Sequence, residues 1–483
     1  MEDLPNGFTG FSQRKPGFES ASEAIRKAAI EQRNLRPDAE SASRAARSGW
    51  QAELEGLPRL DQLGGLWGMR PKKGAGGFEQ FINDIEFGGV SDKRFDIEAI
   101  SGIPEKDRRW AWVEVDRAAL RSNMMTIRNH IGPGPKIMAV VKADGYGHGA
   151  VECAKTAHNS GADYLGVATV DEAIALREAL INAPVLILSE PPVEAIPLLL
   201  AYKVMPSVYT AEFAIRYAEA ADMMGQRAPF HLALNTGMNR IGVRYDEAVT
   251  FMQHIGFHRA LDLKGTFTHF ATADSADTLD FEMQLRRFTE AVANLKAAGI
   301  DPGLVHAANS AATIRYPETH FDMVRVGIAL YGYHPSPLTR PLIDLKPAMT
   351  VHARVTNVNA VPMSEGVSYG LHYRSPGSVK ICTIPIGYAD GLWRGLSGRI
   401  DFLVGGVPFR QVGSICMDQC MFEVNMRTAA SRKFLTPQVG DEVIVVGEQD
   451  GLAIAMDELA ELMGTITYEV TVRFGERLPR IYR

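Results

Sequence analysis

The chain has 483 residues, more than one hydrophobic core ordinarily organises, so two domains and an appendage are expected and a single small module is excluded. Hydrophobic residues make up 46% and charged residues 22%, ordinary proportions for a soluble globular protein, which excludes global disorder. Fifty-one Lys and Arg against 57 Asp and Glu leave a formal net charge of −6, so neither nucleic acid nor an anionic membrane is attracted at long range.

Residues 1–109 are rich in Ala, Ser, Gly and mixed charge and are broken at Pro58, Pro71 and the run Lys72-Lys73-Gly74-Ala75-Gly76-Gly77. Between Glu19 and Gly56 only Pro37 interrupts a composition that favours helix, so this segment reads as an N-terminal extension, weakly ordered or helical, without assigned chemistry. Its acids and Pro5 are unlike a signal peptide, and no run in the chain has the length of a transmembrane helix. Cys153, Cys382, Cys416 and Cys420 are too few for a disulfide framework and lack the clustered partners of a zinc site. A cytoplasmic protein with reduced structural thiols and no metal is expected.

From Trp110 short apolar runs alternate with helical stretches. The runs are AWVEV, KIMAVVKA, YLGVATV, VLILS, FHLALNT, LKGTFTHF, LVHAANS and VRVGIALYG. Helices are predicted from Asp116, from His148, and over Asp171–Ala179, Ala211–Met224, Asp246–Ile255 and Asp280–Ala298. Eight such alternations over residues 110–347 predict an α/β fold, a (β/α)8 barrel of the TIM type. Residues 348–483 change to β-branched strands separated by Gly, Pro and Asn turns, with one helix near Met456 to Met463, and predict a mainly β C-terminal domain.

Catalytic groups of a barrel stand at the C-terminal ends of its strands. Lys142 ends the run IMAVVK and opens the glycine-containing loop ADGYGHG. Alone it reads as a solvated rim residue. His269 in GTFTHF and His306 in LVHAAN also follow strands, and each alone reads as a structural group. Arg325, after FDMV, alone reads as half of an ion pair; Ser310, before an apolar stretch, reads as a helix N-cap. Tyr369 in EGVSYGLHY alone reads as a packing residue.

Together VVKADGYGHG, THFATAD, HAANSAA, VRVGIALYG, GVSYG, IPIGYADG, GSICMDQ and TITYEV, in this order, resemble the alanine racemase family from about residue 110 to the C-terminus. The resemblance implies pyridoxal 5′-phosphate held as a Schiff base by Lys142, whose amine must be neutral to attack an aldehyde. It places Arg325 against the pyridine nitrogen, where a guanidinium cannot hand over a proton. Ser310, the backbone of Gly327 and Ile328, and Tyr468 would surround the phosphate, with Tyr146 and Asn309 close by. His269 would lie against the ring and His306 would hydrogen-bond Arg325.

Racemisation removes the α-proton on one face and returns it on the other, which two bases accomplish. By the resemblance Lys142 acts on the D-antipode and Tyr369 on the L-antipode, a phenol whose ordinary pKa of about 10 requires help from its surroundings. Tyr369 would come from the partner subunit, as would Tyr388, Met417 and Asp418 around the substrate carboxylate and the entrance, giving a homodimer with shared active sites. The implied activity interconverts L- and D-alanine and supplies D-alanine for peptidoglycan. Alternatives are a serine or broad-range racemase of the same fold, or a non-catalytic pyridoxal-phosphate-binding protein; Tyr369 in a β domain favours the enzyme.

One departure stands in LALNTGMNRIG, where the family often has lysine at Ala233 and aspartate at Asn235. That lysine, often carbamylated, holds the arginine matched by Arg240 against the cofactor's phenolic oxygen. With alanine there, a buried Arg240 is expected to need a bound anion such as chloride or a nearby acceptor, the Asn235 amide among them.

Overall fold

The computed structural model describes residues 102–424 and 436–483. The helices expected between Glu19 and Gly56, and the glycine-rich run after them, lie outside the described residues. The first described element is the short helix Glu105–Arg109. In chain order the first strands are β1 Ala111–Val115, β2 Lys136–Val140, β3 Tyr164–Val167, β4 Val185–Ile187, β5 Met205–Val208, β6 Ala228–Asn235, β7 Val243–Arg244, β8 Leu261–Phe267, β9 Leu304–His306 and β10 Met323–Val326.

Eight of these form the parallel barrel, in the order β10-β2-β3-β4-β5-β6-β8-β9. Two backbone hydrogen bonds close the ring between β9 and β10, from the amides of Asp322 to Val305 (3.0 Å) and of Arg325 to Ala308 (2.9 Å). Strands covered on both faces read as continuous apolar runs, as in Ile137 to Val140, all buried. Met138, Leu186, Met205 and Met323 come from four different strands and form a separate buried cluster, which fills the barrel's interior.

The helices follow the sequence pattern. Arg117–Ile131 starts where the Asp116 carboxylate accepts from the amides of Ala118 (2.7 Å) and Ala119 (3.0 Å), and it buries Leu120, Met124, Ile127 and Ile131 at helical spacing. Val170–Glu178, Ala211–Met223, Ala248–Ile255 and Leu279–Ala297 lie within two residues of the predicted spans.

The strand count of eight is right through two offsetting errors. AWVEV was expected to open the barrel at residue 110, but β1 pairs antiparallel with Met349–Arg354 and parallel with Arg480–Tyr482, inside the second domain's sheet. A buried apolar strand carries no mark of which sheet it joins. The strand missed is β5, sequence MPSV, because a proline argues against a central strand. Pro206 nonetheless stands in register with Ile187 of β4.

In the second domain, among the described residues, the sheet runs Asn357–Val361, Val379–Ile384, Cys420–Val424, Val407–Val412, Asp401–Val404, Glu442–Gln449, Met349–Arg354, β1 and Arg480–Tyr482. The helix Met456–Met463 was predicted; the helix Thr467–Arg473 was not. All four cysteines are free thiols.

Candidate active site

A cavity of about 940 Å³ opens at the C-terminal ends of the barrel strands, a volume suited to a small-molecule site of roughly 300–1,000 Å³. Its lining includes Lys142, Tyr146, Arg240, His269, Asn309, Ser310, Arg325, Gly327, Ile328 and Tyr468. The barrel and the helix Thr467–Arg473 of the second domain thus bring together ten of the residues singled out in the sequence.

Lys142 stands at the end of β2, and the turn after it is conformationally costly. Ala143, Asp144 and Tyr146 all have positive φ, near 52–54°, a region that costs a non-glycine residue about 1–2 kcal/mol. Side chains hold it in place. Glu172 accepts from the Ala143 amide (2.7 Å) while its other carboxylate oxygen accepts from the Ala168 amide (2.7 Å), and Asp144 accepts from the Ala150 amide (2.8 Å). Burial, then the charges of Arg240 and Arg325, lower the Lys142 pKa against an opposing pull from Glu172. More of its amine is therefore neutral than on an open surface. Sequence reasoning missed Glu172: the Thr169–Glu172 capping box is readable, but the reach of its second oxygen to the lysine loop is not.

Arg325, fully buried at the end of β10, donates to His306 Nδ1 (3.2 Å), to His269 Nδ1 (3.1 Å) and to the carbonyls of Thr268 (2.8 Å), Ala307 (3.0 Å) and His306 (3.1 Å). All five bonds use its terminal nitrogens, so the Nε donor is left for whatever occupies the cavity. Burial and Arg240 push its pKa down to about 9, so it stays charged at neutral pH. A guanidinium only donates, which fixes the imidazole tautomers. His306 accepts at Nδ1 and therefore donates from Nε2 to His231 Nδ1, 2.8 Å away. His269 accepts at Nδ1 and keeps its proton on Nε2. Burial first, then Arg325, Arg240 and Lys142, hold His269 neutral.

The far side of the cavity offers donors. Ser310 Oγ accepts from the Gly327 amide at 3.0 Å, and the Ile328 amide opens a 3-10 turn where it has no acceptor in its own helix. A Cβ on Gly327 would lie 2.4 Å from the Tyr146 hydroxyl, so glycine is what lets that phenol reach the turn. Burial raises the Tyr146 pKa to about 12 and also raises that of Tyr468, whose ring packs 6.0 Å from it; both keep their protons. The helix N-cap is Asn309 rather than Ser310: its side chain accepts from the Ala312 amide at 3.0 Å, which frees the Ser310 hydroxyl for Gly327.

Arg240 differs from its expectation. It is exposed on the cavity rim rather than buried, with no ion pair among the described residues. The Asn235 amide does not serve it, because its oxygen accepts from the amides of Gly237 and Asn239 (3.1 Å each) and its nitrogen donates to the Asn239 side chain (3.0 Å). Ala233 lines the cavity, and the one carboxylate among the described lining residues, Glu469, is paired with Arg473 at 2.6 Å. Lys142, Arg240 and Arg325 bring three basic side chains to the cavity, with Glu469 also in its lining.

Tyr369, Tyr388, Met417 and Asp418 lie elsewhere, on the β domain. Tyr369, Tyr388 and Met417 are 73%, 41% and 53% exposed, and none of the four lines this cavity. Hydrogen bonds link their loops: Ser414 Oγ donates to the Tyr369 carbonyl (3.0 Å), and the Tyr388 and Ala389 amides donate to the carbonyls of Cys416 and Met417 (3.0 Å each).

A barrel that presents a lysine of lowered basicity at its strand ends has the arrangement of an enzyme that works through an amine. Comparison with known proteins sharpens this. Residues 115–335 match the family described as alanine racemase, N-terminal domain, and residues 348–482 match alanine racemase, C-terminal domain. The chain is 44% identical to an alanine racemase of Desulfovibrio desulfuricans over 374 residues, which cover 77% of this chain and 98% of that one. It is 41% identical to one from Synechocystis sp., covering 77% and 99%. Among solved structures, alanine racemase from Bacillus anthracis with bound L-Ala-P superposes with a TM-score of 0.72 at 38% identity, covering 78% of this chain and 95% of that one. That from E. faecalis gives 0.72 at 36%, covering 78% and 99%. The chain belongs to the alanine racemase family.

Proposed function

We propose that this chain interconverts L- and D-alanine as a homodimer, with pyridoxal 5′-phosphate held at Lys142. The observation that carries the reading is a half-buried lysine, its pKa lowered by burial and by Arg240 and Arg325, facing the hydroxyl and amide donors of Ser310, Ile328 and Tyr468 across one cavity. These residues fit the cofactor. Ser310, Tyr146, Tyr468 and the Ile328 amide suit its phosphate, and the Arg325 Nε donor suits its ring nitrogen. When bound, pyridoxal phosphate supplies an electrophilic carbon for the substrate amine and a ring that draws electrons from the α-carbon.

The chain's own residues do the rest. Lys142 Nζ, neutral when released by substrate, takes or returns the α-proton on the face of the D-antipode. Tyr369 Oη of the partner subunit serves the L-antipode. The exposure of Tyr369, Tyr388 and Met417 here, away from their own chain's cavity, supports their donation to a second copy. Arg240, exposed at the rim and without an ion pair among the described residues, would receive the substrate carboxylate or the cofactor's phenolic oxygen. Asp418 reaches Arg477 at 2.6 Å and helps shape the entrance with Tyr388 and Met417. Four free thiols suit a reducing cytoplasm, where the product would serve peptidoglycan synthesis. Among the described residues no helix is long and apolar enough to cross a membrane.

The test is incubation of the holoprotein with L-alanine or L-serine in heavy water, following optical rotation and α-deuterium. Inversion of alanine well ahead of serine supports the reading. Faster serine inversion moves it to a serine or broad-range racemase, and cofactor binding without inversion of either overturns it.

A further inference from the structure

The three β-domain loops that carry Tyr369, Tyr388 and Met417 form one hydrogen-bonded block, and the block is anchored at a point distant in sequence. Asp390, two residues after Tyr388, is fully buried, with its carboxylate beneath the Tyr388 turn. One of its oxygens accepts from the Gly387 amide at 2.9 Å, which closes that turn. Gly387 is itself pressed against the Met417 loop: a Cβ there would lie 2.3 Å from the Cys416 carbonyl oxygen and 2.4 Å from that of Met417. The two turns therefore cannot separate without losing the bonds between them.

Two guanidinium groups reach the buried carboxylate. Arg109, the last residue of the helix that precedes β1, grips it in two places, at 2.5 and 2.7 Å, across 281 residues of sequence. Arg477 lies 3.5 Å from the same carboxylate and 2.6 Å from Asp418. An exposed ion pair contributes little, but a two-point grip on a fully buried carboxylate fixes geometry as well as charge. Arg109 is not among the residues that line the barrel cavity.

We propose that Arg109 is a positioning residue that, through Asp390, sets the loop block its chain donates to the active site of the partner subunit. This rests on the shared-site reading above. Arg109 acts in trans: its loss damages the partner's site while its own barrel keeps a working lysine. It also means that residues 102–109 belong to the enzyme proper rather than to the extension in which sequence reading placed them.

The test uses full-length holoenzyme. Arg109→Gln should keep its cofactor and its dimer mass while kcat/KM for L-alanine falls about 10- to 100-fold, the penalty expected for reacting groups displaced by about 1 Å; Arg109→Lys should recover part of the loss. Mixed dimers, purified through two different tags, then decide where the defect lies. In a dimer of Lys142→Ala with Arg109→Gln, the one site with a lysine receives its β-domain loops from the chain with an intact Arg109. Activity near half that of the wild-type dimer is expected. Activity as low as that of the Arg109→Gln homodimer would overturn the proposal, as would a fully active homodimer.

A mixed dimer of Lys142→Ala with Tyr369→Phe tests the shared site by itself. If it too is inactive, the shared-site reading fails; if it is active while the Arg109 dimer is not, only the present proposal fails. Should Arg109→Gln not fold, Arg109→Gln/Asp390→Asn leaves no uncompensated buried charge and is read in the same mixed dimers against the same outcomes.

Discussion

The barrel cavity and the β-domain block solve the problem of placing reactive groups in opposite ways. In the cavity the states of the groups are set by burial and by neighbours: Arg325 fixes the tautomers of His269 and His306, and burial, then Arg240 and Arg325, lower the Lys142 pKa. On the β domain the side chains are exposed and only their backbones are held, by bonds between loops and by the Arg109–Asp390 pair. The contrast teaches that the cavity's chemistry is tuned within one chain, whereas the block supplies position and leaves its electrostatics to whatever it faces.

The largest effect should fall on the cavity side. Lys142→Ala should reduce racemisation by about 10⁴-fold or more, since on the proposed reading it removes both the cofactor's attachment and one base. Borohydride reduction followed by mass spectrometry should find no cofactor fixed to the chain. A reduced adduct on another residue would break the assignment of Lys142.

Tyr369→Phe should come next, at about 10²- to 10³-fold. The comparison predicts a particular pattern if Tyr369 is the proposed base and the tuned lysine remains: cofactor binding is retained and D-alanine still exchanges its α-proton with heavy water. Equal loss of exchange from both antipodes would show that the two regions do not divide the faces between them.

Much of the cavity side was legible in the sequence, and little of the block's support was. Lys142, His269 and Arg325 follow apolar runs, and a barrel brings strand ends to one face, so reading the runs locates the site even though AWVEV was assigned to the wrong sheet and MPSV was overlooked. Asn309 was read as a neighbour and Ser310 as the cap because both can cap a helix and only the geometry of the Gly327 turn chooses between them. Glu172 and Asp390 went unnoticed for another reason. Each closes a local turn, but the contact that gives it its role, Glu172 to the Ala143 amide and Asp390 to Arg109, spans 29 and 281 residues and leaves no mark at local spacing.

Smaller effects sharpen the contrast by probing the lysine's neighbours. Arg240→Met removes the second largest cause, after burial, of the lowered Lys142 pKa. The pKa then rises, a smaller share of the amine is neutral at a given pH, and the acid limb of cofactor capture by the cofactor-free protein moves to higher pH. Turnover should fall about tenfold as a rim cation for the substrate is lost. An unmoved acid limb would show that Arg240 does not act on the lysine.

Glu172→Gln should move the same limb the other way, and less. Among the described residues Glu172 is the one group raising the Lys142 pKa, and it ranks below Arg240 among the causes. Removing its charge lowers the pKa further and carries capture to lower pH. The substitution also disturbs the turn, since glutamine offers one acceptor oxygen where the carboxylate uses two, for the Ala143 and Ala168 amides. Losing one of these bonds should lower stability by about 1–3 kcal/mol, visible as a drop in Tm, with turnover changed only a few-fold. The two variants thus make opposite predictions about one titration. If both moved it in the same direction, the charges around Lys142 would not be what sets its basicity, and burial would be the remaining cause.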